Sequence, residues 1–252
     1  MDWDRRRFSS KKWVNNTLGL TLNALGGNAF FWKQKHNIIH HTYTNVDGVD
    51  DDIAKSPVIR QCETQKWVPM HRVQHIYLPL VYSITSLAWT FIMDFTKYFK
   101  QKIQSTVLQK MDLKEHIIFW ISKIFYVFFY VVLPIMAVGL KSYLIGFMVM
   151  EVVLGFTLAI VFQLAHVVEE TEFDVAITGE DKVIEHEWAA HQLKTTANFA
   201  TNNKIINWYV GGLNYQVEHH LFPKISHIHY PAISKIVKET CEQFNLKYLE
   251  FP

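Results

Sequence analysis

The sequence predicts an all-α membrane protein: a transmembrane helical hairpin, interfacial helices, and a cytoplasmic helical cap bearing clustered histidines. Three observations predict it. The apolar residues are gathered into one long tract, Ile117 to Ala165. Lysines crowd the approach to that tract, while the link in its middle carries one. Thirteen histidines are present, and two adjacent His-His pairs each follow a ligand-capable residue at helical spacing.

The tract reads as two halves of 23 residues, Ile117 to Gly139 and Tyr143 to Ala165, with Leu-Lys-Ser between them, so that Gly139 opens a short Gly-Leu-Lys-Ser link. Each half is roughly 34 Å long as a helix, enough for a hydrocarbon core of about 30 Å. Lys123 and Glu151 are the charges inside it. Both read as structural, with Lys123 near enough to one end to snorkel toward water. A pair of buried core helices in a soluble protein is the competing reading. Lys97, Lys100, Lys102, Lys110 and Lys114 precede the hairpin, against Lys141 alone in its link. Positive charge stays inside, so the flanks of the hairpin are expected on the cytoplasmic side. No signal peptide is expected, because MDWDRRRF has no apolar stretch after its arginines.

Two weaker apolar segments lie upstream. Ile76 to Phe95 contains Pro79, hydroxyl residues and Asp94, and Thr17 to Trp32 is short and punctuated by Gly and Asn. Downstream, Ala232 to Phe244 has the spacing of an amphipathic helix. Net charge is +2 and no basic stripe stands out, which argues against nucleic-acid partners. Cys62 and Cys241 form no disulfide framework and no metal spacing. Mean hydropathy, +0.04, conceals the uneven distribution.

The histidines carry the chemistry. His36, His40 and His41 form H-x-x-x-H-H. On an α-helix His36 and His40 share a face, and His41 is displaced by about 100° toward a second site. Gln216, His219 and His220 form Q-x-x-H-H, with the glutamine one turn upstream. His166 closes the second half of the hairpin. Such imidazole clusters suit zinc, copper, iron or nickel, so a zinc-dependent membrane hydrolase stays open beside redox chemistry. If both groups share a histidine-rich di-metal site, they must lie on one side of the membrane. Ile76–Phe95 must then lie in the interface or re-enter rather than cross once.

KQKHNIIHHTYTNVDGVDDDI, HRVQHIYLPL, EWAAHQLKTTANFA and GGLNYQVEHHLFPKISHIHYPAI together resemble the membrane fatty acid desaturases, from about Phe8 to the end of the chain. The glutamine of QVEHH resembles the front-end branch, which inserts a double bond between an existing one and the carboxyl end. The resemblance implies two non-haem irons, dioxygen as co-substrate, and no catalytic group beyond the metal site. The implied ligands are His36, His40 and His41 from the second histidine box, His219 and His220 from the third, and His166. Gln216 stands where other branches have a ligand histidine. His191 and Asn198, in HQLKTTAN, resemble a family motif, read as either active-site or packing residues. Asn45, Asp47, Asp50, Asp51 and Asp52 are candidates to hold the outer nitrogens of ligand histidines, although an acidic loop is ordinarily just solvated. His71, His75, His116, His186, His227 and His229 read as structural or surface residues, and Trp188 and Trp208 as core or interface anchors. The implied partners are an acyl-chain substrate, membrane lipid and an external electron donor, a ferredoxin or small cytochrome, since the chain contains no H-P-G-G haem motif.

The resemblance implies a single desaturase domain over 1–252. It would comprise the short apolar segment 17–32, the second box and its loop 36–75, the interfacial or re-entrant segment 76–95, the hairpin 117–165 and the cap 166–252. The family's first box, typically H-D-x-x-H-G, has no counterpart in Met1-Asp2-Trp3-Asp4-Arg5-Arg6-Arg7. The expectation is therefore an N-terminally incomplete domain that by itself binds iron weakly and is inactive. The alternatives are a natural inactive desaturase-like membrane protein and a di-iron lipid hydroxylase.

Overall fold

A computed structural model describes residues 9, 11–53, 58–163, 166–175 and 187–252. Met1 to Phe8 and His186 lie outside the described residues. The described chain is mostly helical. It departs from an all-helical expectation by three ladders of two-residue strands. It divides into two compact units, one of Lys11–His36 with Arg72–Ile160, the other built from Asn37–His71 with Val161–Pro252.

The first unit is apolar. Helix Leu113 onward starts where the Asp112 carboxylate accepts the Glu115 N–H, filling one orphan donor of the first turn. Helical structure then runs to Gln163, broken at Gly139, whose φ of 75° and ψ of 158° suit only glycine. Tyr126 donates a 2.6 Å hydrogen bond to Glu151, 25 residues on. A continuous helix would hold these residues about 37 Å apart, so the chain reverses at Gly139 into an antiparallel pair. The expected four-residue link contracts to that one residue. The most apolar 18-residue window here has a mean hydropathy of 2.4 and is only 17% buried. A soluble core helix would hide such a surface; Met136, Ile124 and Ile145 instead face outward.

The expected ambiguous segment is a bent pair. Helices Pro69–Ser83 and Thr85–Lys100 meet at 55°. Pro79 lies inside the first, and the Ser83 hydroxyl donates to its carbonyl at 2.7 Å. The Ser83 and Tyr82 carbonyls press on Gly155, where a Cβ would stand 2.5 Å from the Ser83 oxygen. The bend is therefore seated by a close backbone approach that only glycine permits.

Two polar latches cross this unit. Glu151, 1% exposed, accepts from Tyr126 and, at 2.6 Å, from the Ser86 hydroxyl. Lys123 does not snorkel. Its ammonium meets the Gly26 carbonyl at 2.6 Å, the Thr90 carbonyl at 2.9 Å and the Asp94 carboxylate at 2.9 Å. An ammonium has three donors and all three find acceptors here, which holds it inside. Trp89 donates to the other Asp94 oxygen at 3.1 Å.

The second unit packs helices Trp188–Thr195, Gln216–Leu221 and Tyr230–Gln243 around Leu193, Val217, Val237 and Cys241. The last helix matches the amphipathic expectation, starting two residues earlier. Asn198–Phe199 pairs in parallel with Glu250–Phe251, tying the chain end beside the helices. Cys62 and Cys241 are buried free thiols.

Removing one partner of the Lys123–Asp94 pair strands a buried charge. Lys123→Met should cost about 3–5 kcal/mol, and Asp94→Leu added to it should recover much of that. Thermal unfolding in detergent checks both. A double variant as unstable as the single one would show that the pairing is not what matters.

Candidate metal centre

The H-x-x-x-H-H group lies on helix Lys33–His40, which is a π-helix rather than the expected α-helix. Its i→i+5 bonds make a wider turn than an α-helix, and His41 follows it in a turn. His36 belongs to the apolar unit. It is 4% exposed and stacks on Trp32, with ring centroids 4.6 Å apart.

His40, His166 and His220 come together in the second unit, with one ligand nitrogen from each within 4.8 Å of the others. His40 Nε2 stands 3.2 Å from His166 Nε2. That matches two nitrogens at about 2.1 Å from one ion, which lie roughly 3.0–3.4 Å apart. His41 stacks on His220 at 4.3 Å, and its ring lies 4.8 Å from that of His219.

The outer nitrogens fix the tautomers. His40 Nδ1 is 2.9 Å from Asp50 Oδ2 and 3.3 Å from Asp52. A carboxylate only accepts, so Nδ1 carries the proton and Nε2 keeps its lone pair. His220 Nδ1 donates to Gln192 Oε1 at 2.8 Å, which leaves His220 Nε2 free of a proton in the same way. Burial, aided by the neighbouring His40, pushes His166 down to about 3, so it is a neutral imidazole at physiological pH. The donor set is therefore nitrogen-rich and buried, which suits iron or zinc.

The other predicted residues surround these rings. Asn45, at a φ of 57°, donates to the His166 carbonyl at 3.0 Å and the Thr195 carbonyl at 3.2 Å. The acidic loop is not simply solvated. Asp50 is fully buried, and it also accepts the Asn45 and Asp52 N–H groups. Asp47 accepts from the Thr64 hydroxyl at 2.8 Å. His191 donates from Nε2 to the Thr44 carbonyl at 2.9 Å, and its Nδ1 lies 3.3 Å from Asp174. Both of its nitrogens thus face protein oxygens. Asn198 accepts the Val217 N–H at 2.9 Å and donates to Glu218 at 2.8 Å, which orients the helix carrying His219 and His220. Gln216 is 2% exposed, and its Oε1 has no hydrogen-bond partner among the described residues. A buried acceptor of this kind fits an ion or a water as its partner. Trp188 donates to the His41 carbonyl at 3.0 Å. His71 is buried, with its Nδ1 accepting the Val68 N–H at 3.2 Å.

The model of the family described as fatty acid desaturase matches residues 5–252. The chain belongs to the fatty acid desaturase family. It is 39% identical to the sn-1 linoleoyl-lipid 6-desaturase of Arthrospira platensis, over 98% of this chain and 67% of that one. A 6-desaturase of the same description from Synechocystis sp. is 37% identical, over 100% of this chain and 70% of its own. The acyl-lipid (8-3)-desaturase of Physcomitrium patens is 37% identical over 99% of this chain, which spans 52% of that relative. These relatives are of the front-end type that QVEHH resembles, and the family is one of oxidoreductases acting on lipids.

Reading the desaturase sequence alone missed Gln192, Thr44, Glu218 and Tyr248. Gln192 had a signal, since it adjoins His191 in HQLKTTAN, and Glu218 stands inside the third box. Tyr248 had none; it donates to Glu218 from 30 residues away.

Asp50→Asn keeps the shape of the desaturase loop but removes the acceptor-only group at His40 Nδ1. Iron affinity should fall about 10–100-fold, read by metal analysis after equilibrium dialysis. An unchanged affinity would show that Asp50 does not set the His40 tautomer.

Proposed function

We propose that the chain is an acyl-lipid desaturase of the front-end type, working with two non-haem irons, dioxygen and an external electron donor. His36, His40, His41, His166, His219 and His220 would hold the irons, and Gln216 would complete the set directly or through water. Bound iron supplies the oxidising power needed to take hydrogen from an unactivated methylene, which no side chain here can do. The single observation that carries this reading is the His40–His166–His220 cluster, with the rings of His40 and His220 aimed inward by Asp50 and Gln192.

The protein's own groups have three tasks. Asp50 and Gln192 keep the ring protons on the outer nitrogens. Asn45, His191 and Trp188 fix the backbone carbonyls of His166, Thr44 and His41, so the ligands cannot drift. The near-complete burial of His40, His41 and His220 keeps water away. In this reading the two helices that reverse at Gly139 cross the membrane as a hairpin, the bent pair re-enters, and the metal site faces the cytoplasm. Ferredoxins and small cytochromes are the donor classes that fit.

The test is expression in a host lacking the product, with the chain alone and with the chain extended at its N-terminus by a relative's H-D-x-x-H-G segment. The extended protein should contain iron rather than zinc, and should add a double bond on the carboxyl side of an existing one, seen by mass spectrometry of the acyl chains. The chain alone should contain less iron and give no product. Full iron in the extended protein without any new double bond would sink the desaturase reading. Product from the chain alone would overturn only the expected inactivity.

A further inference from the structure

Helix Lys204–Tyr209 presents an apolar face to solvent. Ile205, Trp208 and Tyr209 stand at i, i+3 and i+4 and are 78%, 82% and 62% exposed. Asn203 caps this helix by accepting the Ile205 and Ile206 N–H groups, at 3.0 and 3.1 Å, so the face is held rather than frayed. A second exposed apolar group, Phe222, Ile225 and Ile228, lies on the turn after the third histidine box. The two are neighbours. Gly212, just after the helix, stands so close to His227 that a Cβ there would be 2.6 Å from the His227 Cβ. Between them opens a cavity of about 330 Å³, lined by Val210, Leu213, Lys224, Ile225, His227 and, on its inner wall, His219.

The charge pattern selects what covers this face. Between Asn202 and His229 the acidic, basic and histidine side chains are Lys204, Glu218, His219, His220, Lys224, His227 and His229. Glu218, the sole acid, is fully buried, and so are His219 and His220. What remains outside in this stretch is basic, and Glu250, the acid that lines a pocket with Lys204 and Ile205, is already held by Lys238 and the Thr201 hydroxyl. Exposed Trp and Tyr flanked by lysine is the composition that settles at a bilayer–water interface, where rings lie at headgroup depth and lysines meet anionic lipid.

We propose that Ile205, Trp208 and Tyr209, with Phe222, Ile225 and Ile228, dock the histidine-rich unit on a lipid surface, so that the cavity beside His219 opens toward the lipid. The surface does not depend on the hairpin, since every residue in it belongs to one unit. That the cavity admits the acyl-lipid substrate rests on the desaturase reading; the docking itself does not.

Depth measurement separates the two. Cysteine is placed at Trp208, Ile228 or Glu239, the last an exposed polar control on helix Tyr230–Gln243. Each is labelled with the environment-sensitive fluorophore NBD, and the full chain is reconstituted in vesicles containing a fifth anionic phospholipid. The unlabelled background of buried Cys62 and Cys241 is set by the parent chain. The labels at 208 and 228 should shift to the blue and lose at least half their intensity to lipids brominated near the headgroup, while that at 239 stays as in water. Lys204→Glu with Lys224→Glu should weaken this quenching on anionic vesicles. Labels at 208 and 228 that behave like the control overturn the proposal. So does protection without quenching by brominated lipid, which would assign the face to a second copy or a protein partner. Quenching as expected in the N-terminally extended protein, when that protein holds full iron and still makes no product, keeps the docking and removes only the substrate role of the cavity.

Discussion

An imidazole ligates only through a nitrogen that carries no proton. The histidine-rich unit is organised around that constraint. Burial, aided by His40, keeps His166 neutral, but it does not decide which nitrogen of a buried ring holds the hydrogen. Asp50 decides it for His40 and Gln192 decides it for His220. Both must themselves be held. Asp50 is pinned by the backbone N–H groups of Asn45 and Asp52, and Gln192 Oε1 also lies 2.9 Å from the Thr44 hydroxyl. The left-handed backbone at Asn45 is the cost of returning the chain so that one side chain holds both the His166 and Thr195 carbonyls.

The apolar unit meets a related constraint with opposite means. Its outer surface is made for contact with apolar surroundings, so each charge inside must be matched within a few ångströms. Lys123 satisfies its donors on two carbonyls and a carboxylate; Glu151 takes two hydroxyls. These latches, with Gly155 against the Ser83 carbonyl, set where the bent pair lies in its own unit. The Gly26 carbonyl is available to Lys123 because Gly26 adopts a φ of 96°, where a side chain would collide with Thr90 and Tyr126.

What could be read in the sequence was what repeats locally. The apolar halves, the reversal near Gly139, the amphipathic last helix and both histidine groups show in spacing. Four things did not show, each for a physical reason. The π-helix at Lys33–His40 is a choice between bonding patterns that the residues KQKHNIIH permit equally. Lys123 looked able to reach water because its partner Asp94 is 29 residues away in a segment of uncertain path. The acidic run after the second box looked solvated because nothing local reveals that Asp50 has no exposure at all. Gln192 binds a histidine 28 residues on and a threonine 148 residues back, pairings that only the folded chain creates.

The third histidine group shows how far such remote control reaches. Helix Gln216–Leu221 has six residues, too few to be stable by itself. Its early N–H at Val217 is taken by Asn198, and its inward face is set by Glu218, which is wholly buried. Burial raises the Glu218 carboxyl, while donors from Asn198 and Tyr248 oppose that rise. Asn198 is itself held in the ladder with Glu250, and Asn198 and Tyr248 also meet at 2.6 Å. The direction in which His219 and His220 point is therefore determined by residues from HQLKTTAN and from the last few positions of the chain. A histidine cluster built this way is a property of the folded unit, and the short helix supplies the rings without supplying their orientation.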